Sequence, residues 1–265
     1  MPELPEIEAY RRLAERVVGR VVIAVGAPDP WYLKGGVDAA ALRAALVGRR
    51  IARVRRHGKL LLLDTAGPGP TLGLRFGMTG RLLVDGVPGV DVLLYSSSAD
   101  LAAWDRFSME FAPRRGRSGF LVVRDPRRLG GVELDPDEAR LGPDAQTLRV
   151  GDLRAALGES KAPLKARIMD QAKVAGIGNL LADEVLWRAG LDPARPAGSL
   201  TDTEARRLAR VMRSTIDELI TRGGSHTGDL MPARHPGGRC ARDGAELVRR
   251  TIGGRTTWSC PVHQL

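Results

Sequence analysis

The first periodic stretch of the chain is helical. Ile7, Leu13, Val17 and Val18 recur at helical spacing between about Glu6 and Val18, and Gly19 is a natural stop. The period then shortens. RVVIAV, RIARVRR, KLLLLDT, PTLGLRF, GRLLVDG, DVLLYSS, DRFSMEF and GFLVVRD are short, alternating or β-branched runs bounded by Gly, Pro and Asp clusters. DAAALRAALVG is the one helical interruption, so the pattern predicts a sandwich or barrel up to about residue 135. LDPDEARLGPDAQ then reads as a Pro/Asp-rich connection. Beyond it the helical period returns in VGDLRAALGE, APLKARIMDQ, NLLADEVLWRAG and TDTEARRLARVMRSTIDELITRGG, with Thr201 or Asp202 as N-cap of the last helix. Residues 223–239 are Gly- and Pro-rich and read as a mobile loop, and a small cysteine-bearing hairpin closes the chain. The predicted class is α+β and multidomain: a sandwich with flanking helices over 1–135, a linker over 136–149, a helical domain over 150–232 and a hairpin over 233–265.

Composition narrows the function classes. A chain of 265 residues supports two modest domains with real cores. No long uninterrupted apolar run predicts a transmembrane helix, and the acidic N-terminus does not read as a secretory signal. Two cysteines cannot build a disulfide framework, which fits a reducing cytosol. A net charge of +10 points to a polyanionic partner. Nucleic acid ranks ahead of a membrane, because no strongly amphipathic basic helix stands out. The arginine excess of a GC-rich genome would produce the same charge.

Six segments carry candidate chemistry. In MPELPE, Pro2 and Pro5 suit a helix start; alternatively, removal of Met1 would leave the Pro2 ring nitrogen as a nucleophilic amine. In KVAGIGNLLADE the two glycines and Asn179 form either a phosphate cradle at a helix N-terminus or a plain helix–turn–helix corner, with Lys165 within reach from the preceding helix. Lys59 follows a His57–Gly58 turn and is a solvated charge, a phosphate contact or a proton donor. Met78 in LRFGMTG, and Arg127, Arg128 and Leu129 in VRDPRRLGG, sit in tight turns, and such side chains can fill the gap left by a base extruded from DNA. The tail pairs Cys240 with Asp243 and Cys260 with His263, two C-x2-ligand knuckles nineteen residues apart. That spacing suits a tetrahedral zinc site, or else a hairpin held by apolar packing with its cysteines buried or oxidised together.

In this order and spacing, PELPEIE, the GK hairpin, GMTG, DPRR, AGIGNLLADE and the terminal GGRTT-x-x-CP-x-x-Q resemble the formamidopyrimidine-DNA glycosylase and endonuclease VIII family over essentially the whole chain. The resemblance implies an N-terminal β-sandwich, a helix–two-turn–helix domain and a zinc-type β-hairpin. It implies a monomeric, cytoplasmic base-excision-repair enzyme acting on damaged double-stranded DNA, a glycosylase with AP lyase activity. Pro2 would attack C1′ and form a Schiff base. An α-amine titrates at roughly 7.7–8.0, so a useful fraction is neutral at cellular pH. Glu3 would act as general acid/base beside it. Lys59 joins them in the catalytic set; Glu6 and Glu184 would support the site. Arg75, Met78, Arg127, Leu129, Lys165, Asn179 and Arg255 would contact DNA. One structural Zn2+ would sit on Cys240, Asp243, Cys260 and His263. The chain departs from the family at Leu129, where phenylalanine is usual, at Arg75 for histidine, in the 223–240 segment, and at Asp243 and His263 for two cysteines. These departures do not carry over the family's 8-oxoguanine preference and leave oxidised pyrimidines, ring-opened purines and bulkier adducts open. A relative of the same fold that binds damaged DNA without turnover is the alternative.

Overall fold

The computed structural model describes residues 2–94, 96, 99, 101–114 and 116–265. The chain divides into two compact units. One comprises Pro2 and Glu6–Glu138, the other Glu3–Pro5 and Ala139–Leu265.

Helix α1 (Leu4–Ala14) ends in a short 3-10 turn (Glu15–Val17), and Gly19 then reverses the chain at φ 80°. In the first unit, β1 (Val22–Gly26), β7 (Asp105–Arg114), β8 (Arg117–Arg124), β5 (Arg81–Val84) and β6 (Val87–Pro88) form a sheet in that spatial order. β2 (Ile51–His57), β3 (Leu60–Thr65), β4 (Thr71–Arg75) and β9 (Gly131–Leu134) form a second sheet. All strand pairings in the two sheets are antiparallel, and alternating strands with one face on the core suit that arrangement. One apolar core takes Leu61, Leu63, Leu72 and Leu74 from one sheet and Phe107, Met109, Phe111, Leu121 and Val123 from the other. Ile7 and Tyr10 of α1, and Leu42 and Leu46 of α2 (Ala39–Leu46), join it. The sandwich expectation holds.

One expected strand does not form. Asp91–Leu94, the described start of DVLLYSS, has no strand conformation, and Tyr95 and Ser97 lie outside the described residues. β6 takes the place beside β5 instead, through an Asp85–Gly86 turn with both φ positive, 52° and 79°. Pro88 is tolerated opposite Leu83, and the Gly89 N–H beyond it still donates to the Leu82 carbonyl at 2.9 Å. β6 and β9 are too short to leave a periodic trace in sequence.

In the second unit, α3 (Val150–Leu157), α4 (Leu164–Met169), α5 (Asn179–Ala189) and α6 (Asp202–Arg222) enclose a core that includes Leu153, Ile168, Leu181, Val185, Leu208, Met212 and Ile216. Thr201 caps α6 in a reciprocal box with Glu204, an arrangement worth about 1 kcal/mol, and Gly223 ends the helix at φ 100°. The 223–239 segment, expected to be mobile, contains two 3-10 turns (Ser225–Thr227 and Met231–Ala233) and buries Leu230. β10 (Val248–Ile252) and β11 (Arg255–Ser259) pair across Gly253–Gly254, whose φ values of 56° and 71° only glycine adopts cheaply in both positions. Trp187, Leu230, Cys240, Leu247, Trp258 and Cys260 form a small core beneath the hairpin. Among the described residues, no helix is long and apolar enough to cross a membrane.

Candidate functional site

The G-x-G-N turn does cradle an anion, but the anion belongs to the chain itself. Glu3 is fully buried, and its Oε1 and Oε2 accept the backbone N–H groups of Leu180 and Leu181 at 2.9 and 3.0 Å. These are among the first-turn donors of α5 that have no partner within the helix, and the helix dipole favours negative charge there. Gly178 makes room: a methyl on it would overlap the Glu3 carboxyl group. Gly176, at φ 111°, lets the turn pass over Leu4, whose N–H donates to the Gly176 carbonyl at 3.2 Å. Residues 3 and 4 are thereby fixed to the start of α5. Pro2, the next residue back along the chain, is buried and belongs to the first unit.

Asn179, the first residue of α5, donates from Nδ2 to the Thr256 carbonyl at 3.1 Å. Arg255 precedes that carbonyl and is exposed at the tip of the β10–β11 hairpin. Lys165 requires a correction. Expected to face phosphate, it is fully buried, with its Nζ 2.7 Å from Asp183 Oδ1, 2.8 Å from Thr257 Oγ1 and 3.2 Å from the Thr256 carbonyl. Burial lowers its pKa, against the opposing pull of Asp183. Lys165 is therefore an internal brace beneath Asn179 and Arg255. Asp183 completes it by accepting Arg234 and the Trp258 N–H, joining α5 to the hairpin and to the 231–234 turn.

In the first unit, strand register gathers another group. Leu60, directly after Lys59, pairs with Arg75, and Arg75 pairs with Gly131, so Lys59, Arg75 and the 125–130 turn share one end of a sheet. Arg75 donates to Glu133 Oε1 at 2.8 Å and remains partly exposed. Asp125 organises the two adjoining turns. Its buried carboxylate accepts Thr79 Oγ1 at 2.5 Å, the Gly130 N–H at 2.9 Å and the Arg127 N–H at 3.2 Å. Gly77 closes the junction, since a Cβ there would sit 2.5 Å from the Leu129 carbonyl oxygen. Half-buried Met78 and exposed Arg127 and Leu129 are thus held near one another. Arg128, at φ 57°, turns its guanidinium back onto Asp29 in a bidentate pair of 2.6 and 2.7 Å. That pairing holds Asp29 well below the usual carboxylate range.

Glu6 is buried on α1 within the first unit, and Glu184 is buried on α5 within the second. Glu184 accepts the N–H groups of Asp229 and Leu230 at 3.0 and 2.9 Å and Arg188 Nε at 2.6 Å. It is the anchor of the 228–230 turn. Arg188 bridges onward to Glu218 and Asp229, and these carboxylates raise its pKa against the cost of burial.

Cys240, Asp243, Cys260 and His263 converge, with one donor atom from each lying within 4.8 Å of the others. Cys240 Sγ is 3.5 Å from His263 Nδ1, Cys260 Sγ is 3.1 Å from Asp243 Oδ2, and His263 Nδ1 is 2.8 Å from the same oxygen. A tetrahedral zinc centre needs ligand edges of roughly 3.3–3.8 Å, so small shifts of the carboxylate suffice. The surroundings fit as well. His263 Nε2 lies 3.1 Å from the Trp187 carbonyl, which directs Nδ1 into the cluster. The N–H groups of Arg242 and Val262 each point at a cysteine sulfur at 3.4 Å. Hydrogen bonds from the Ala245 N–H, then from Cys260 and His263, hold the Asp243 carboxyl far below its ordinary range. Burial pushes the Cys260 thiol up, a shift that a bound divalent cation reverses. These four residues could hold a metal ion.

Asp125, Asp183 and Asp29 escaped the sequence reading. Only Asp125 left a trace, as the head of an Asp-Pro turn; the other two are recognisable solely through partners distant in sequence.

Comparison with known proteins yields consistent matches. Residues 1–132 match the model of the formamidopyrimidine-DNA glycosylase N-terminal domain, and residues 141–230 match that of the formamidopyrimidine-DNA glycosylase H2TH domain. Formamidopyrimidine-DNA glycosylase of Thermus thermophilus is 36% identical, over 100% of this chain and 98% of its own length. That of Cereibacter sphaeroides is 34% identical over 100% of both. Among solved structures, the LlFpg protein in complex with a THF-DNA and an inhibitor superposes with a TM-score of 0.83 at 28% identity, covering 100% of both chains. The Lactococcus lactis protein with a FAPY-dG containing DNA gives 0.81 at 28% identity, over 99% of both.

Proposed function

Because the chain belongs to the formamidopyrimidine-DNA glycosylase family, we propose that it is a base-excision-repair DNA glycosylase with AP lyase activity, acting on damaged double-stranded DNA. One observation carries the reading: Glu3, next to Pro2, is fully buried and bound through both carboxylate oxygens to the N-terminus of α5. A carboxylate so fixed can serve an adjacent reacting centre without reorganising.

After removal of Met1, the neutral Pro2 nitrogen attacks C1′ of the damaged nucleotide. The bond to the base breaks, and the departing base takes the proton that the Pro2 nitrogen gives up. Glu3, protonated from solvent, then delivers its proton to the ring oxygen, the sugar opens, and a cationic iminium joins Pro2 to C1′. That cation draws electrons from C2′, so loss of a C2′ proton expels the 3′ phosphate, and a second elimination expels the 5′ phosphate. Water then releases Pro2 from the opened sugar. Lys59, Arg75, Asn179 and Arg255 supply charge and donors for the phosphates around the lesion, while Met78, Arg127 and Leu129 fill the vacated stack. Glu6 supports the Pro2 region, and Glu184 acts by fixing the 228–230 turn. Zinc held by Cys240, Asp243, Cys260 and His263 would be structural, cross-linking the hairpin that carries Arg255.

The test is borohydride trapping on a duplex containing one abasic site. The expected result is a covalent protein–DNA adduct in the native protein and none in a form that keeps residues ahead of Pro2, whose nitrogen is then an amide. Absence of an adduct from a protein sequenced as beginning at Pro2 would refute the enzyme reading and leave a DNA-binding relative without turnover.

A further inference from the structure

The β7–β8 hairpin lies at the far end of β8 from the 125–130 turn, about 23 Å away at the rise of a strand. At that end a cavity of about 600 Å3 is lined by Arg20, Asp85, Arg114, Arg117 and Ser118, all within the first unit. The volume falls in the range of small-molecule sites, roughly 300–1,000 Å3.

Arg20 is the unusual member. Its side chain is only 9% exposed, yet among the described residues its Nε has no hydrogen-bond partner and its one ion pair is a 3.5 Å approach of Nη1 to Asp85 Oδ2. A guanidinium carries five N–H groups, and burying it without acceptors is costly. The fold nevertheless builds a seat for it. The guanidinium lies 5.4 Å from the centre of the Phe111 ring, and it occupies the space that a Cβ on Gly119 would need. Asp85 is already engaged, accepting the Phe120 N–H at 2.8 Å. Arg114 and Arg117, paired across the hairpin, are exposed and line the same cavity. Three guanidinium groups against one carboxylate leave an excess positive charge facing a concave space.

We propose that this cavity is a phosphate-binding site, separate from the surface assigned above to the lesion. Arg20 serves as its fixed floor, and Arg114 and Arg117 as mobile jaws able to bind phosphate oxygens in bidentate fashion. The phosphate is either a free anion or a backbone group of a second stretch of DNA. The proposal does not depend on the glycosylase reading.

Titration calorimetry with inorganic diphosphate, at constant ionic strength, tests it on the full-length protein. One saturable site is expected. Arg114→Ser/Arg117→Ser, two exposed positions, is expected to weaken it at least tenfold while the melting temperature without ligand stays unchanged. The salt dependence of binding to an undamaged duplex separates the two sources. If a DNA backbone occupies the site, the double variant lowers the log–log slope by about 1–2; if the ligand is a free anion, the slope is unchanged while diphosphate binding is lost. No saturable diphosphate binding together with an unchanged slope overturns the proposal. Trapping on abasic DNA is read separately, so failure of either proposal is recognised without the other.

Discussion

Replacing Gly178 by alanine isolates the contact that fixes Glu3. The residue has φ −117° and ψ −166°, extended backbone that alanine adopts freely, so the perturbation is one methyl and nothing else. That methyl would lie 2.5 Å from Glu3 Oε1 and 2.6 Å from Cγ. The glutamate must withdraw, and it gives up its hydrogen bonds to the Leu180 and Leu181 N–H groups. Hydrogen bonds to a charged group contribute about 1.5–3 kcal/mol each. Two of them bound the loss at roughly 3–6 kcal/mol, and partial rehydration of the carboxylate brings the expectation to about 3 kcal/mol. Urea unfolding should show this loss. Borohydride trapping on abasic DNA should slow at least tenfold under native conditions, because Glu3 no longer sits at a fixed distance from Pro2. Gly178→Ala with unaltered urea midpoint and trapping rate would show that the α5 N-terminus does not hold Glu3, and the argument for a preorganised carboxylate would fail.

Lys165→Met should destabilise the protein by about 1–3 kcal/mol, since Asp183 Oδ1 and Thr257 Oγ1 lose a buried donor while Asp183 keeps Arg234 and the Trp258 N–H; an unchanged urea midpoint would restore Lys165 to the surface. Metal analysis should find one zinc per chain, and chelation should lower the melting temperature and weaken DNA binding; a metal-free protein of full activity contradicts the ligand assignment. Glu204, held down to about 2 chiefly by Arg195 and also by the Thr201 N–H, has an ordinary value of 4.5. Because its folded value is depressed, its contribution is complete above pH 4.5 and disappears as pH falls toward 2. Glu204→Gln should therefore lower stability at neutral pH and flatten acid unfolding across that window; parallel curves for the two proteins would rule this out.

Helix α6 illustrates what local sequence can disclose. Thr201, Glu204, a sustained apolar stripe and Gly223 specify start, face and end within one segment. The cluster of Cys240, Asp243, Cys260 and His263 was equally visible, because two short knuckles bring their own partners into line. Lys165 was misjudged for a matching reason. Nothing in LKARIM reveals that Asp183, one turn into another helix, waits on the inward side. Glu3 lies 177 residues from one of the amides that hold it, so the opening PELPE and the AGIGN turn each showed half of one interaction. Strand β9 became legible only through pairing with β4.

Glu184 holds the 228–230 turn by main-chain amides, not by side chains. An anchor of that kind is blind to amino-acid identity. Gly228 is the exception, because a Cβ there would stand 2.8 Å from the Glu184 carboxyl carbon. With Glu184, Gly228 and Arg234 kept, exposed Pro232, His235, Pro236 and Arg239 can be exchanged without loosening this anchor. The exposed face of this stretch is therefore open to sequence change that leaves the fold intact, and it is the first place to randomise when a new surface is wanted on the second unit.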